Sequence, residues 1–148
     1  MTRLKLWMRV IGGFYIFLGM INTPPFTAAR MRVQYPTLDL ELGHLAVKAI
    51  NDLWFMFGVE TAVIGLMLFI ASAAPVQNKI LAQTVLLLEL VRGILMDLYW
   101  LSRGYYDPVP YIAWIIIHLA IILSGWYLLR QTESFSRTKS TESSWQTN

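Results

Sequence analysis

The sequence predicts an all-α integral membrane protein, an antiparallel four-helix transmembrane bundle. Three observations carry that prediction. The 148-residue chain is 56% hydrophobic and only 14% charged, with mean hydropathy +0.51, whereas about a quarter of an ordinary soluble chain is charged. Four stretches approach the ~20 apolar residues that a helix needs to cross a bilayer. Lys and Arg gather at the ends of those stretches, which is the usual topology signal. This composition weighs against a water-soluble enzyme.

The first span is expected over about 6–22, stopped by Pro24-Pro25. Arg3, Lys5 and Arg9 before a short apolar run, with Thr27 and Ala29 beyond it, also resemble a signal peptide. Against that stand Tyr15, Asn22 and the small residues Gly12, Gly13 and Gly19, which suit close helix packing. The second span, about 45–73, is long enough to cross with tilt. Gly58, Ala62 and Gly65 would let a neighbour approach it closely. Pro75 with Gln77-Asn78-Lys79 makes a short turn, and the third span follows over about 80–101. Ser102-Arg103-Gly104 and Tyr105-Tyr106-Asp107-Pro108 separate it from the fourth, about 111–129. Residues 1–130 thus form one membrane domain, and the Ser-, Thr- and Gln-rich tail 131–148 is too polar to bury anything and is expected to be disordered.

Arg3, Lys5, Arg9, Lys79, Arg130, Arg137 and Lys139 fall on one side of this layout, and Arg30, Arg32, Arg103 and Lys48 on the other. That bias predicts a bacterial inner-membrane protein with both termini cytoplasmic. Trp7, Trp126 and Tyr127 fall near one interface, and Tyr105, Tyr106 and Tyr111 near the other. With Cys 0, disulfides, thiolate metal sites and CxxC redox motifs are impossible. No basic face interleaved with aromatics points to nucleic acid.

The chemistry-bearing signal is a set of charges inside the apolar spans. Asp52, Glu60, Glu89 and Asp97 lie in the second and third helices together with Arg92. A charge at mid-membrane costs at least about 2.5 kcal/mol, so such residues are expected to face one another or a hydrated cavity. Glu60, Glu89 and Arg92 fall near the midplane, and Asp52 and Asp97 roughly 12 Å nearer the outer face. Asp52 precedes Glu60 by eight residues and Glu89 precedes Asp97 by eight. The short turn between the two helices predicts antiparallel neighbours, with carboxylate beside carboxylate at both depths. Glu89 and Arg92, three apart, are helix neighbours that can pair. One cation does not neutralise four anions, so desolvation and mutual repulsion are expected to hold at least one carboxyl protonated, giving a donor beside a base. The bland alternative is an interhelical polar network that only holds helices together.

Asn51, Tyr99, Trp54 and Tyr15 are candidate ligand-contacting or supporting residues. His118 in the fourth helix is either a proton shuttle or hydrogen-bonded packing. The loop carrying Arg30, Arg32, Asp39 and Glu41 could cap the outer mouth of a pocket, although such a loop is more often merely solvated. His44 has no second histidine near it in sequence, a bis-histidine haem would need both histidines of the chain at one depth, and no ligand motif marks a metal. No metal or cofactor is expected.

The phrases Trp-Met-Arg-Val-Ile-Gly-Gly-Phe-Tyr-Ile-Phe-Leu-Gly at 7–19, Asp-Leu-Trp-Phe-Met-Phe-Gly-Val-Glu at 52–60 and Leu-Glu-Leu-Val-Arg-Gly at 88–93 resemble the BphX-like family. The resemblance covers about 3–130. It implies a small four-helix bacterial membrane protein, more distantly similar in size and layout to DoxX-like proteins, and it carries over no catalytic residue. Three functions compete. One is an enzyme performing cofactor-free acid–base isomerisation, cyclisation or epoxide opening on a lipophilic small molecule, with Glu60 as acid, Glu89 or Asp97 as base and Arg92 as their electrostatic partner. The second is an accessory subunit that binds a quinone-like ligand for an oxidoreductase partner. The third is a proton-coupled carrier of a small solute, for which a homo-oligomer would be needed to enclose a path.

Overall fold

The computed structural model describes residues 3–34, 44–104 and 108–145, with side chains described as far as 31 in the first stretch and 132 in the last. These residues are helical, with no strand among them. In chain order they form α1 (Arg3–Ile21), α2 (Pro24–Gln34), α3 (Leu45–Ala71), α4 (Lys79–Leu88), a π-helical segment (Glu89–Leu95), α5 (Met96–Arg103) and α6 (Pro108–Trp145). Three helical stretches are long and apolar enough to cross a membrane: Arg3–Ile21, Leu45–Ala71 and Pro108–Thr132. The third expected span is a rod over 79–103 in which the π segment separates α4 from α5.

Helix ends follow local chemistry. Pro24-Pro25 stops α1 but also starts α2, since proline is well suited to a first helical turn, where its missing N–H has no partner to lose. Thr27 ties this corner by donating its hydroxyl to the Thr23 and Asn22 carbonyls. The segment around Arg30, read from sequence as a loop, is therefore a helix. Asp39 and Glu41 of that same stretch, and Tyr105 and Tyr106, lie outside the described residues. His44 caps α3, its Nδ1 accepting from the Ala46 N–H at 3.3 Å. Gly104, at φ +65°, closes α5 in a left-handed conformation that a side chain would disfavour. The α6 backbone stays helical to Trp145, through the polar stretch for which composition predicts disorder.

Packing departs from the expected pairing. The Pro75 turn joins α3 to the 79–103 rod, yet α3 packs chiefly on α1 and the rod on α6. Glycines explain the choice. A Cβ on Gly12 would sit 2.7 Å from the Gly65 carbonyl oxygen, and one on Gly19 would sit 2.7 Å from that of Gly58. The two pairs run in opposite directions at a seven-residue repeat, so α1 and α3 are antiparallel and touch backbone to backbone. Between the rod and α6 the shape match is different. His118 rests on Gly93, and Gly125 makes room for Leu86 and Trp7.

Among the described residues, a hydrophobic core cluster lies at one end of the molecule. Leu4, Trp7, Met8, Ile11, Leu68, Val85, Leu86, Ile121 and Leu129 fill the half nearest the start of α1. Trp7 crosses it to donate its indole N–H to Ser124 Oγ at 3.0 Å. The opposite half is hollow.

Candidate functional site

The hollow half holds a cavity of about 560 Å³, within the range of small-molecule sites. Every described helix contributes. Tyr15, Leu18 and Asn22 come from α1, Arg30 from α2, and Trp54, Phe57, Thr61 and Ile64 from α3. The rod supplies Leu88, Glu89, Arg92, Gly93, Met96, Asp97 and Trp100, and α6 supplies Pro110, Tyr111, Trp114 and His118. Indole and phenol rings make its walls: Trp54 and Trp100 lie 6.2 Å apart, and Trp100 meets Tyr111 edge-on at 6.1 Å.

Glu89 is the centre of its polar floor. Although only 3% exposed, its carboxylate is well partnered. The Tyr15 hydroxyl donates to one oxygen, and His118 Nδ1 bonds the other. The far ring nitrogen of His118, Nε2, faces Asp97 Oδ2 at 3.6 Å, and Asp97 is itself 7% exposed. One imidazole thus stands between two buried carboxylates.

The π segment makes this possible. In a regular α-helix, residues eight apart are rotated by about 80°. A π-bulge inserts one residue without adding a turn, so that eight residues span the angle that seven span in an α-helix, leaving an offset of about 20°. Glu89 and Asp97 come onto one face, spaced along it so that a single ring reaches both. Gly93, inside the π segment, completes the seat. A Cβ there would fall 2.5 Å from His118 Nδ1.

The proton count of this group is informative. A neutral imidazole has one N–H, whereas His118 contacts carboxylate at both nitrogens. Both contacts become hydrogen bonds only when the ring is doubly protonated or one carboxyl keeps a proton. Asp97 Oδ2 is buried and has no hydrogen-bond partner among the described residues. An unpartnered buried acceptor therefore sits beside the imidazole, in contact with the cavity.

Of the five ionisable candidates, Glu89, Asp97 and Arg92 line the cavity. Arg92 does not turn to Glu89 as its spacing suggests. It lies over the Phe57 ring at 4.4 Å and pairs with Glu60 at 3.4 Å. Glu60 is 63% exposed on the outer side of α3, and Asp52 is also exposed. The expected juxtaposition of acids from α3 and the rod is thus corrected: the glycine contact with α1 turns the acidic face of α3 outward. Among the supporting candidates, Trp54, Tyr15 and His118 line the cavity, whereas Tyr99 is exposed and Asn51 is half-buried outside it. Asn51 Oδ1 is buried with no hydrogen-bond partner among the described residues.

Arg30, Trp100, Tyr111 and Trp114 are cavity residues that sequence reasoning missed or ranked low. Arg30 stacks over Trp54 at 5.0 Å and donates to Asn22 Oδ1 at 2.7 Å. Tyr111, Trp114, His118, Ile121 and Gly125 follow a three-four spacing along α6, which is the signature of one inward seam. That seam was the available signal for His118. Among the described residues no group of three or more His, Asp and Glu forms a metal cage.

Comparison with known proteins agrees with the sequence phrases. A family model described as BphX-like matches residues 1–134. An uncharacterized BphX-like protein of Burkholderia cepacia is 27% identical over 129 residues, covering 86% of this chain and 90% of the relative. A second, from Paraburkholderia xenovorans strain LB400, matches with the same identity and coverage. No solved structure matches the chain.

Proposed function

The chain belongs to the BphX-like family, and on that premise we propose that it is a membrane-embedded enzyme that performs acid–base chemistry on a lipophilic small molecule. The 79–103 rod serves as a fourth membrane span beside the three apolar helices. In this reading a four-helix transmembrane bundle places both termini on the cytoplasmic side of a bacterial inner membrane, and the cavity opens towards the other leaflet. The observation that carries the reading is His118 held between buried Glu89 and Asp97 on the floor of an aromatic cavity.

The division of labour follows from geometry. Tyr15 and Glu89 orient the imidazole and balance its charge. Asp97 and the Nε2 edge of His118 exchange a proton with the ligand. A C–H beside a ligand carbonyl loses its proton to one of the pair while the oxygen receives one from the other, giving an enol; a proton then goes to a second carbon as the enol oxygen gives its own back, which completes an isomerisation with no net change in composition. Cyclisation or epoxide opening would use the same donor. The indole walls exclude water, which strengthens these electrostatic interactions. Glu60, outside the cavity, has no acid role in this scheme, and Arg92 contributes positive charge to the wall.

The test compares lipid-soluble extracts by untargeted mass spectrometry from cells making wild type, Asp97→Asn or His118→Leu at matched membrane levels. A mass-conserving or water-adding product that vanishes in both variants supports the reading. Extracts that are identical across all three refute it.

A second reading is favoured by the flat indole faces around the hydrogen-bonding floor, which suit a planar quinone head held for an oxidoreductase partner. Co-purification of a redox protein together with a bound quinone would select it. A carrier is the least favoured, because the packed core from Leu4 to Leu129 lies between the cavity and the other end of the bundle.

A further inference from the structure

Glu60 and Arg92 are charges set in the middle of an exposed apolar surface. Glu60 lies two residues from the middle of α3, and Arg92 lies one from the middle of the 79–103 rod. The carboxylate is 63% exposed and the guanidinium 31%. Around them the surface is apolar: Met56, Val59 and Val63 flank Glu60 on α3, and Val91 and Leu95 flank Arg92, all exposed. In a bilayer this surface suits lipid everywhere except at its charged centre, and charged groups at mid-span turn to protein partners. Their own 3.4 Å contact is long and uses one of the five guanidinium donors.

We propose that this face is a twofold interface with a second copy of the chain, in which Glu60 of each copy pairs with Arg92 of the other. Charge complementarity selects that occupant. The patch presents one anion beside one cation, so rotation by 180° about the membrane normal sets unlike charges opposite each other on both sides of the axis, and the surface is complementary to itself. The apolar flanks then pack on their own images. Arg92 also lines the cavity, so the second copy fixes one wall residue of each site from behind.

The chain contains no cysteine, so single cysteines report proximity without background. Full-length protein in nanodiscs carries Val63→Cys beside Glu60, or Leu123→Cys, exposed on α6, and is oxidised at matched density. The Val63→Cys protein is expected to cross-link about tenfold faster or more, and native mass spectrometry is expected to show two chains per disc. Glu60→Arg or Arg92→Glu alone abolishes both signals, and the two together restore them. Glu60→Gln, with folding checked by tryptophan fluorescence, loses dimer while remaining folded. Equal cross-linking at the two positions, a single chain per disc, a folded dimer in Glu60→Gln, failure of the double reversal to restore dimer in a protein that folds, or a different protein on this face in native membranes would each overturn the proposal.

Discussion

Replacing Gly65 with alanine tests whether α1 and α3 truly meet backbone to backbone. The added Cβ would lie 2.6 Å from the Gly12 carbonyl oxygen, 2.8 Å from Tyr15 Cβ and 2.9 Å from the Ile16 nitrogen. Ordinary contact begins at 3.4 Å, so α1 must retreat by 0.8 Å (3.4 − 2.6) to clear the carbonyl. Two of the three obstructing atoms are backbone, which leaves no side chain to swing aside. Overpacking of this kind costs about 3 kcal/mol at the upper end of its range. Alanine is the better helix former by about 1 kcal/mol, which leaves a net loss of about 2 kcal/mol. Gly13→Ala supplies the control. A Cβ there meets nothing within 4 Å, so only the propensity gain of about 1 kcal/mol remains. The two variants should differ by about 3 kcal/mol, on the order of a hundredfold in the unfolding constant. Unfolding in mixed micelles of rising SDS fraction, read by tryptophan fluorescence, measures the difference. A Gly65→Ala protein as stable as Gly13→Ala would refute the backbone contact, and with it the reason for the orientation of α3.

Three further outcomes are expected. Gly93→Ala, whose Cβ would fall 2.5 Å from His118 Nδ1, should displace the imidazole from Glu89 and abolish turnover or ligand binding while the protein still folds, and nitrogen NMR of the ring would show an altered Nδ1 signal. Ser124→Ala leaves the Trp7 indole N–H without its 3.0 Å acceptor and should cost about 1–3 kcal/mol in the same unfolding assay, with no change at the cavity. Deleting Val91 should convert the π segment to regular α-helix and leave Asp97 at its present angle to Glu89, because seven α-helical residues span the angle that eight span through the bulge; Asp97 stays beside His118 and activity is kept, and loss of activity in a folded deletion variant would disprove this role of the bulge.

Much of the frame was legible because it rests on local chemistry. Pro24-Pro25, the Pro75 turn and Gly104 mark ends that the backbone enforces whatever the tertiary context. The intramembrane acids were legible as a signal, and Glu89, Asp97 and Arg92 do meet at the cavity. Their partners were not. The spacing of Asp52 and Glu60 mirrors that of Glu89 and Asp97, yet one pair faces outward and the other inward. Acid spacing alone cannot decide such a question, since helix pairing is chosen by how closely backbones approach, and the informative residues were Gly12, Gly19, Gly58 and Gly65. The π segment leaves no comparable mark in Glu-Leu-Val-Arg-Gly-Ile-Leu. A regular helix would set Asp97 about 80° from Glu89, whereas the π segment brings the two onto one face, and His118 looked solitary when the seam from Tyr111 to Gly125 carries it inward.

The polar floor also bears on whether the cluster is structural glue or a working site. Glue should be satisfied, because an unpaired buried polar atom weakens the assembly it is meant to hold. Glu89 meets that standard, with one hydrogen-bond partner on each oxygen. Asp97 does not: Oδ2 is buried, stands 3.6 Å from His118 Nε2, and has no hydrogen-bond partner among the described residues. A helix-holding network would gain by moving the ring closer, but the ring is fixed at its other edge by Glu89 and from behind by Gly93. Tightening one contact would loosen the other. An imidazole committed to one carboxylate and held just short of a second, with aromatic walls and space beside it, leaves the second carboxylate for a ligand hydroxyl or carbonyl. Asp97→Asn separates the two roles: a loss of chemistry with unfolding stability unchanged belongs to a site, and a loss of stability belongs to glue.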